Sequence, residues 1–175
     1  NFDMYPLEDI ELPILLENDT ADLGERAKEL ISRGGNYHRN VVENGKWKEA
    51  IRGYLASISY ADAMVGKLID NLNNSKYSQN TIVVISSDHG WQLGEKMHWR
   101  KFALWENVIR TLLMVKVPEN ISSLKSGSRD GGEVTSLTSL LDIYPTLLEL
   151  TNIKSETDLD GKSLIPLLNN PELKT

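Results

Sequence analysis

The chain has 175 residues, of which 40% are hydrophobic and 25% charged, with a formal net charge of −6. That length fits one domain or a large piece of one, and the mix holds enough apolar side chain for a packed core, which argues against disorder. An acidic balance without any Lys/Arg tract argues against a nucleic-acid partner, and no apolar run approaches the ~20 residues that span a bilayer.

Pro6, Pro13 and the acidic run Glu8 to Glu11 predict an irregular start. Asp19 or Thr20 is placed to cap a helix through Leu23, Ala27, Leu30 and Ile31, stopped at Gly34-Gly35. Trp47, Ala50, Ile51, Tyr54, Leu55, Ile58, Ala61, Val65, Leu68 and Leu72 recur at three- and four-residue steps, so a long amphipathic helix is expected from Lys46 to Leu72. Thr81 to Ser86 is short, β-branched and apolar, the pattern of a central parallel strand covered on both faces. Leu112 to Val117 repeats it, and Pro118 ends it. A polar loop over residues 119–132 and a short strand at Val134 to Leu137 are expected next. Asp142 is then placed to cap a helix carrying Pro145 in its first turn. Asp160-Gly161 predicts a turn, and Ser163 to Leu168 a last helical piece. This order predicts an α/β fold, a mainly parallel sheet sandwiched by helices.

Chemistry concentrates in Ser86 to Lys101. The segment begins where an apolar strand ends, the place where open α/β sheets bind ligands. Asp88 and His89 are adjacent there, and Gly90 permits the sharp turn that lets a carboxylate and an imidazole share one cation. Carboxylate oxygen suits a hard ion such as calcium. Taken alone, an Asp-His pair at a strand end is more often a turn with a surface histidine. Trp91, Trp99, Phe102 and Trp105, interleaved with Glu95, Lys96, His98, Arg100 and Lys101, look more like a partly exposed pocket wall than a core stripe. The absence of cysteine excludes disulfides, thiolate metal sites and a cysteine nucleophile within these residues.

The run Ser87-Asp88-His89-Gly90-Trp91-Gln92-Leu93-Gly94-Glu95, followed by Trp99-Arg100-Lys101, resembles the type I, formylglycine-dependent sulfatases, in particular their iduronate-2-sulfatase-like bacterial group. Tyr54 to Asp62, Asp142 to Leu148 and Asp160 to Leu164 resemble further landmarks of that family in the correct order, so the resemblance covers nearly the whole chain. It implies the alkaline-phosphatase-like fold, with residues 1–175 as the C-terminal part of a catalytic domain. It implies sulfate-ester hydrolysis, the ester belonging to a small molecule or a glycan. Asp88 and His89 would enter a calcium shell, and Lys101 would contact the sulfate as a catalytic, charge-neutralising group. His98 is either a proton donor to the leaving alcohol or a packed, hydrogen-bonded residue. Trp91 and Arg100 are candidates for the sugar side of the pocket. A periplasmic or secreted location is the family's expectation.

The departures are as informative. The family's formylglycine is made from Cys or Ser in a Cys/Ser-x-Pro/Ala-x-Arg motif by a formylglycine-generating or sulfatase-maturating enzyme, and no such motif occurs here. The N-terminal half with the nucleophile and the smaller C-terminal subdomain are expected outside these residues, and the 175 residues alone are expected to be inactive. Two other readings stay open. One is a two-metal phosphodiesterase or phosphatase of the same superfamily, which needs more Asp/His ligands than His38, His89 and His98 supply; His38 is expected in a glycine-rich loop. The other is a non-catalytic sulfatase-like module.

Overall fold

The computed structural model describes residues 1–16, 18–32, 37–121, 124 and 131–174. Along the chain run α1 (Glu25–Ser32), α2 (Tyr37–Glu43), α3 (Trp47–Asn73), β1 (Val83–Ser86), β2 (Gln92–Leu93), β3 (Trp99–Arg100), α4 (Glu106–Ile109), β4 (Leu113–Lys116), α5 (Ile143–Thr151) and α6 (Ile165–Asn169). They form two compact units. One holds Asn1–Asn71 with Ser86–Leu112, the other Leu72–Ile85 with the residues from Leu113 onward.

In the first unit α3 matches the expected amphipathic helix, with Ile51 and Ala56 buried on its inner face. α1 starts at Glu25 rather than near Asp19, because residues 18–23 form turns closed by Ala21 N to Asn18 O and Leu23 N to Thr20 O. The Asp19 side chain is unavailable as a cap: its Oδ1 accepts a hydrogen bond from Lys96 Nζ, which also donates to Asp19 O at 3.1 Å. The Gly34-Gly35 stop falls outside the described residues. β2 and β3 form an antiparallel hairpin, with Gln92 opposite Arg100 and Leu93 opposite Trp99.

In the second unit β4 pairs with β1, its neighbour across a crossover rather than along the chain. Its core is Leu124, Leu150 and Ile165, packed by Ile82, Val115, Val117 and Leu168. β1 is half-buried rather than covered on both faces, because β4 is its sole ladder neighbour among the described residues. The strand expected at Val134 to Leu137 is not formed. The segment is irregular, Leu137 is 94% exposed, and Ser136 Oγ donates to Leu173 O instead of joining a ladder. Asp142 does not cap α5 with its side chain. Its Oδ2 accepts from Ser139 N at 2.8 Å and its Oδ1 from Lys162 N at 2.8 Å, which ties the turn around Gly161 to the start of α5. Leu164 N then donates to the buried Thr146 Oγ1, fixing α6 beside α5.

Candidate functional site

The loop after β1 is held by backbone. Ser87 N donates to Leu112 O, Gly90 N to Val108 O at 2.7 Å and Trp91 N to Asn107 O at 3.0 Å, while Ser87 Oγ closes a local turn onto His89 O. A Cβ at Gly90 would lie 2.1 Å from Asn107 O. Glycine is therefore required by a backbone-to-backbone approach, not by a special φ. Gly90→Ala should lower stability by about 1–3 kcal/mol, the usual range for overpacking, and should displace the neighbouring His89. Thermal unfolding monitored by circular dichroism checks this.

This loop brings Asp88 and His89 together. His89 Nε2 lies 3.5 Å from Asp88 Oδ2, and His89 Nδ1 lies 2.8 Å from Gly90 O. A carbonyl only accepts hydrogen bonds, so Nδ1 carries a hydrogen, and Nε2 is the ring nitrogen that faces the carboxylate. Two electron-pair donors facing each other repel unless a proton or a cation lies between them. The Asp88 side chain is 82% exposed, so that space is reachable. A carboxylate oxygen and an imidazole nitrogen so placed fit a divalent cation. They are two donors of the six to eight that calcium takes. Among the described residues no group of three or more Asp, Glu, His or Cys gathers. A two-metal site is not assembled from them.

Aromatic rings back this pair. The Trp91 ring lies 6.3 Å from the His89 ring and 6.1 Å from that of Tyr54 on α3, the latter nearly parallel at 23°. Tyr54 is a site neighbour that sequence reasoning treats only as a helix landmark; its helical spacing is that of any core-facing aromatic. Trp47, two helical turns before it, donates from Nε1 to Leu93 O at 2.7 Å. Gly94 lies under the Trp47 ring with φ 124°, and a Cβ there would meet that ring at 2.4 Å.

The hairpin carries the other candidates. His98 is 3% exposed and edge-on to Trp105 at 5.9 Å, and its Nε2 has no hydrogen-bond partner among the described residues. The ring is thus enclosed, as the packed reading expects, but the hydrogen bond of that reading is not formed at Nε2 among the described residues. Burial holds its pKa below the ordinary histidine value. Burial does the same for His38, which lies in α2 and not in the glycine-rich loop expected from the sequence; it accepts a hydrogen bond from Trp99 Nε1 on Nδ1 at 3.1 Å.

These depressed values have a sign. A ring whose folded pKa is lowered binds fewer protons folded than unfolded. Its contribution is complete above the unfolded value of about 6.5 and is lost as pH falls through the lower folded value. Stability should therefore drop as pH falls below about 6.5, and His98→Phe should flatten that slope; melting temperatures measured on either side of that pH test it.

Arg100 has φ 74°, donates to Tyr37 Oη at 2.9 Å and holds its guanidinium 5.2 Å from the Tyr37 ring. Its head group is thus engaged with α2. Lys101 lines a cavity of about 650 Å³ with Ala27, Leu30 and Ile31 of α1 and with Phe102, Leu104 and Trp105. Asp88 and His89 do not line that cavity. The Lys101 ammonium pairs with no carboxylate among the described residues, and it lies 6.0 Å from the centre of the Phe102 ring. The aromatic set splits accordingly: Trp99 is buried, Trp91 and Trp105 half-buried, and Phe102 exposed.

This fold recurs in solved structures. A protein bound to its substrate D-glucosamine-2-N,6-O-disulfate superposes with a TM-score of 0.64 and 28% identity, over 74% of this chain and 25% of that one. The phosphonate monoester hydrolase from Silicibacter pomeroyi superposes with a TM-score of 0.78 and 23% identity, over 95% of this chain and 33% of that one. The α/β architecture is the alkaline-phosphatase-like one. Residues 16–153 match the family model described as Sulfatase, and the chain belongs to that family. Among curated proteins, a sulfatase of Formosa agariphila is 36% identical over 98% of this chain and 32% of its own length. The choline-sulfatase of Rhizobium meliloti is 39% identical over 78% of this chain and 26% of its own length. The iduronate 2-sulfatase of Mus musculus is 27% identical over 86% of this chain and 32% of its own length. The chain therefore spans about a quarter to a third of the length of these relatives. No helix among the described residues is long and apolar enough to cross a membrane.

Proposed function

We propose that the chain is the C-terminal part of a sulfatase catalytic domain, contributing the Asp88–His89 portion of a calcium site and the Lys101 sulfate contact to hydrolysis of a sulfate ester. The observation that carries this is the His89 geometry: Nδ1 is bound to Gly90 O, and Nε2 faces Asp88 Oδ2 at 3.5 Å. A cation between those atoms would draw electron density from the oxygens of a bound sulfate. Asp88 and His89 would hold the cation. Lys101 is free of a competing carboxylate among the described residues, so its ammonium can meet the charge that builds on the leaving oxygen. Trp91 forms the half-buried aromatic wall beside His89, suited to one face of a sugar ring.

No residue of this chain is assigned the nucleophile, since the formylglycine motif of the family does not occur in it. The phosphonate monoester hydrolase likeness shows the fold alone. The sulfated glucosamine bound by one neighbour, and the choline and iduronate named for two relatives, support a sulfated small molecule or sugar as substrate class. The test is hydrolysis of glucosamine-6-sulfate and choline sulfate by the full-length protein, with phosphate mono- and diesters beside them. Sulfate release without phosphate release is expected; preferential phosphate-ester cleavage would overturn the reading.

A further inference from the structure

We propose that Tyr54 is a positioning residue for the Asp88–His89 cation site, acting through Trp91; the inference rests on reading that pair as cation ligands. Among the described residues the His89 ring makes one hydrogen bond within 3 Å, from Nδ1 to Gly90 O at 2.8 Å. One hydrogen bond fixes where that nitrogen lies but leaves the ring free to tilt about it, and tilt moves Nε2 relative to Asp88. The Trp91 ring lies alongside at 6.3 Å and 32°, and limits the tilt. Trp91 needs support in turn. Its backbone is pinned by Asn107 O, and its ring is backed by Tyr54 at 6.1 Å and 23°. Offset stacking of this kind is favourable over centroid distances of about 4.5–7 Å.

Tyr54 can serve because α3 is itself fixed to this segment. Trp47, Ile51 and Tyr54 fall on one face of the helix, at i, i+4 and i+7. Trp47 bonds Leu93 O and Ile51 is buried. The helix is therefore anchored two turns before Tyr54, and its rigid backbone sets the ring position. The Tyr54 hydroxyl makes no hydrogen bond among the described residues, so the ring and not the phenol is the working part.

The test measures calcium binding to the full-length protein by calorimetry, together with the NMR signals of the His89 ring in the calcium-free state. Tyr54→Leu should weaken calcium binding about three- to tenfold, the range a lost aromatic stack converts to. It should also broaden or shift the His89 ring signals, as a ring freer to tilt would show. Tyr54→Phe should stay within about twofold of wild type. Tyr54→Met, whose unbranched side chain adapts to irregular gaps, replaces the leucine variant if that one does not fold. Wild-type affinity and wild-type His89 ring signals in the aliphatic variant would overturn the inference. Asp88→Asn separates the two levels. If it abolishes binding while Tyr54→Leu has no effect, only the positioning role fails. If it too leaves binding unchanged, the cation site itself fails.

Discussion

Asp88→Asn in the full-length protein should weaken calcium binding by at least about 100-fold, beyond the ~10–100-fold that outer-shell partners of metal ligands cost. Sulfate-ester turnover should fall with it and recover partly in excess calcium. The reason is charge. The carboxylate is the only anionic donor that the loop places next to His89 Nε2, at 3.5 Å, and an amide oxygen supplies the same position without the charge. Stability should hardly change, because the side chain is 82% exposed and carries no structural hydrogen bond among the described residues. A melting curve that matches wild type, beside lost calcium affinity, is the expected pair of results. A large loss of stability with calcium affinity intact would show that Asp88 is a turn residue and nothing more.

Lys101→Met should lower kcat on a sulfate ester by about 10²–10³, the cost of removing one preorganised charge-stabilising group. Methionine is the informative replacement. The lysine stem lines the cavity against Leu30, Phe102 and Trp105, so alanine would remove packing and charge together. Methionine keeps most of the stem and deletes only the ammonium. Lys101→Arg should recover part of the rate, since the charge returns in a different geometry. Equal kcat for wild type and the methionine variant would refute the sulfate contact, and the cavity lining would then be the whole role of Lys101.

The sequence is legible where the information is local. The three- and four-residue spacing from Trp47 onward produces α3 as observed, Trp47–Asn73, and the β-branched run at Thr81 to Ser86 produces β1. The Asp88-His89-Gly90 turn is local too, since its hydrogen bonds to Gly90 O and from Ser87 Oγ span one or two residues. What local spacing does not carry is competition from far along the chain. Asp19 has the composition of a helix cap, yet Lys96, 77 residues away, occupies it. Arg100 reads as a pocket cation, yet Tyr37, 63 residues away, engages its guanidinium. His38 reads as a loop residue, yet it lies in a helix and accepts from Trp99, 61 residues away. Tyr54 has the spacing of any core aromatic, and its stack on Trp91 is what brings it near the Asp88–His89 pair. Val134 to Leu137 has strand composition but finds no ladder partner among the described residues, and composition alone does not make a strand.

Crystallography of the full-length protein with calcium, with anomalous scattering to identify the ion, tests the central claim most directly. The expected result is one calcium between Asp88 and His89, with its carboxylate oxygen at about 2.3–2.6 Å and Nε2 turned toward the ion. A protein that hydrolyses sulfate esters with that space filled only by water, or with its metal bound elsewhere, would contradict the account.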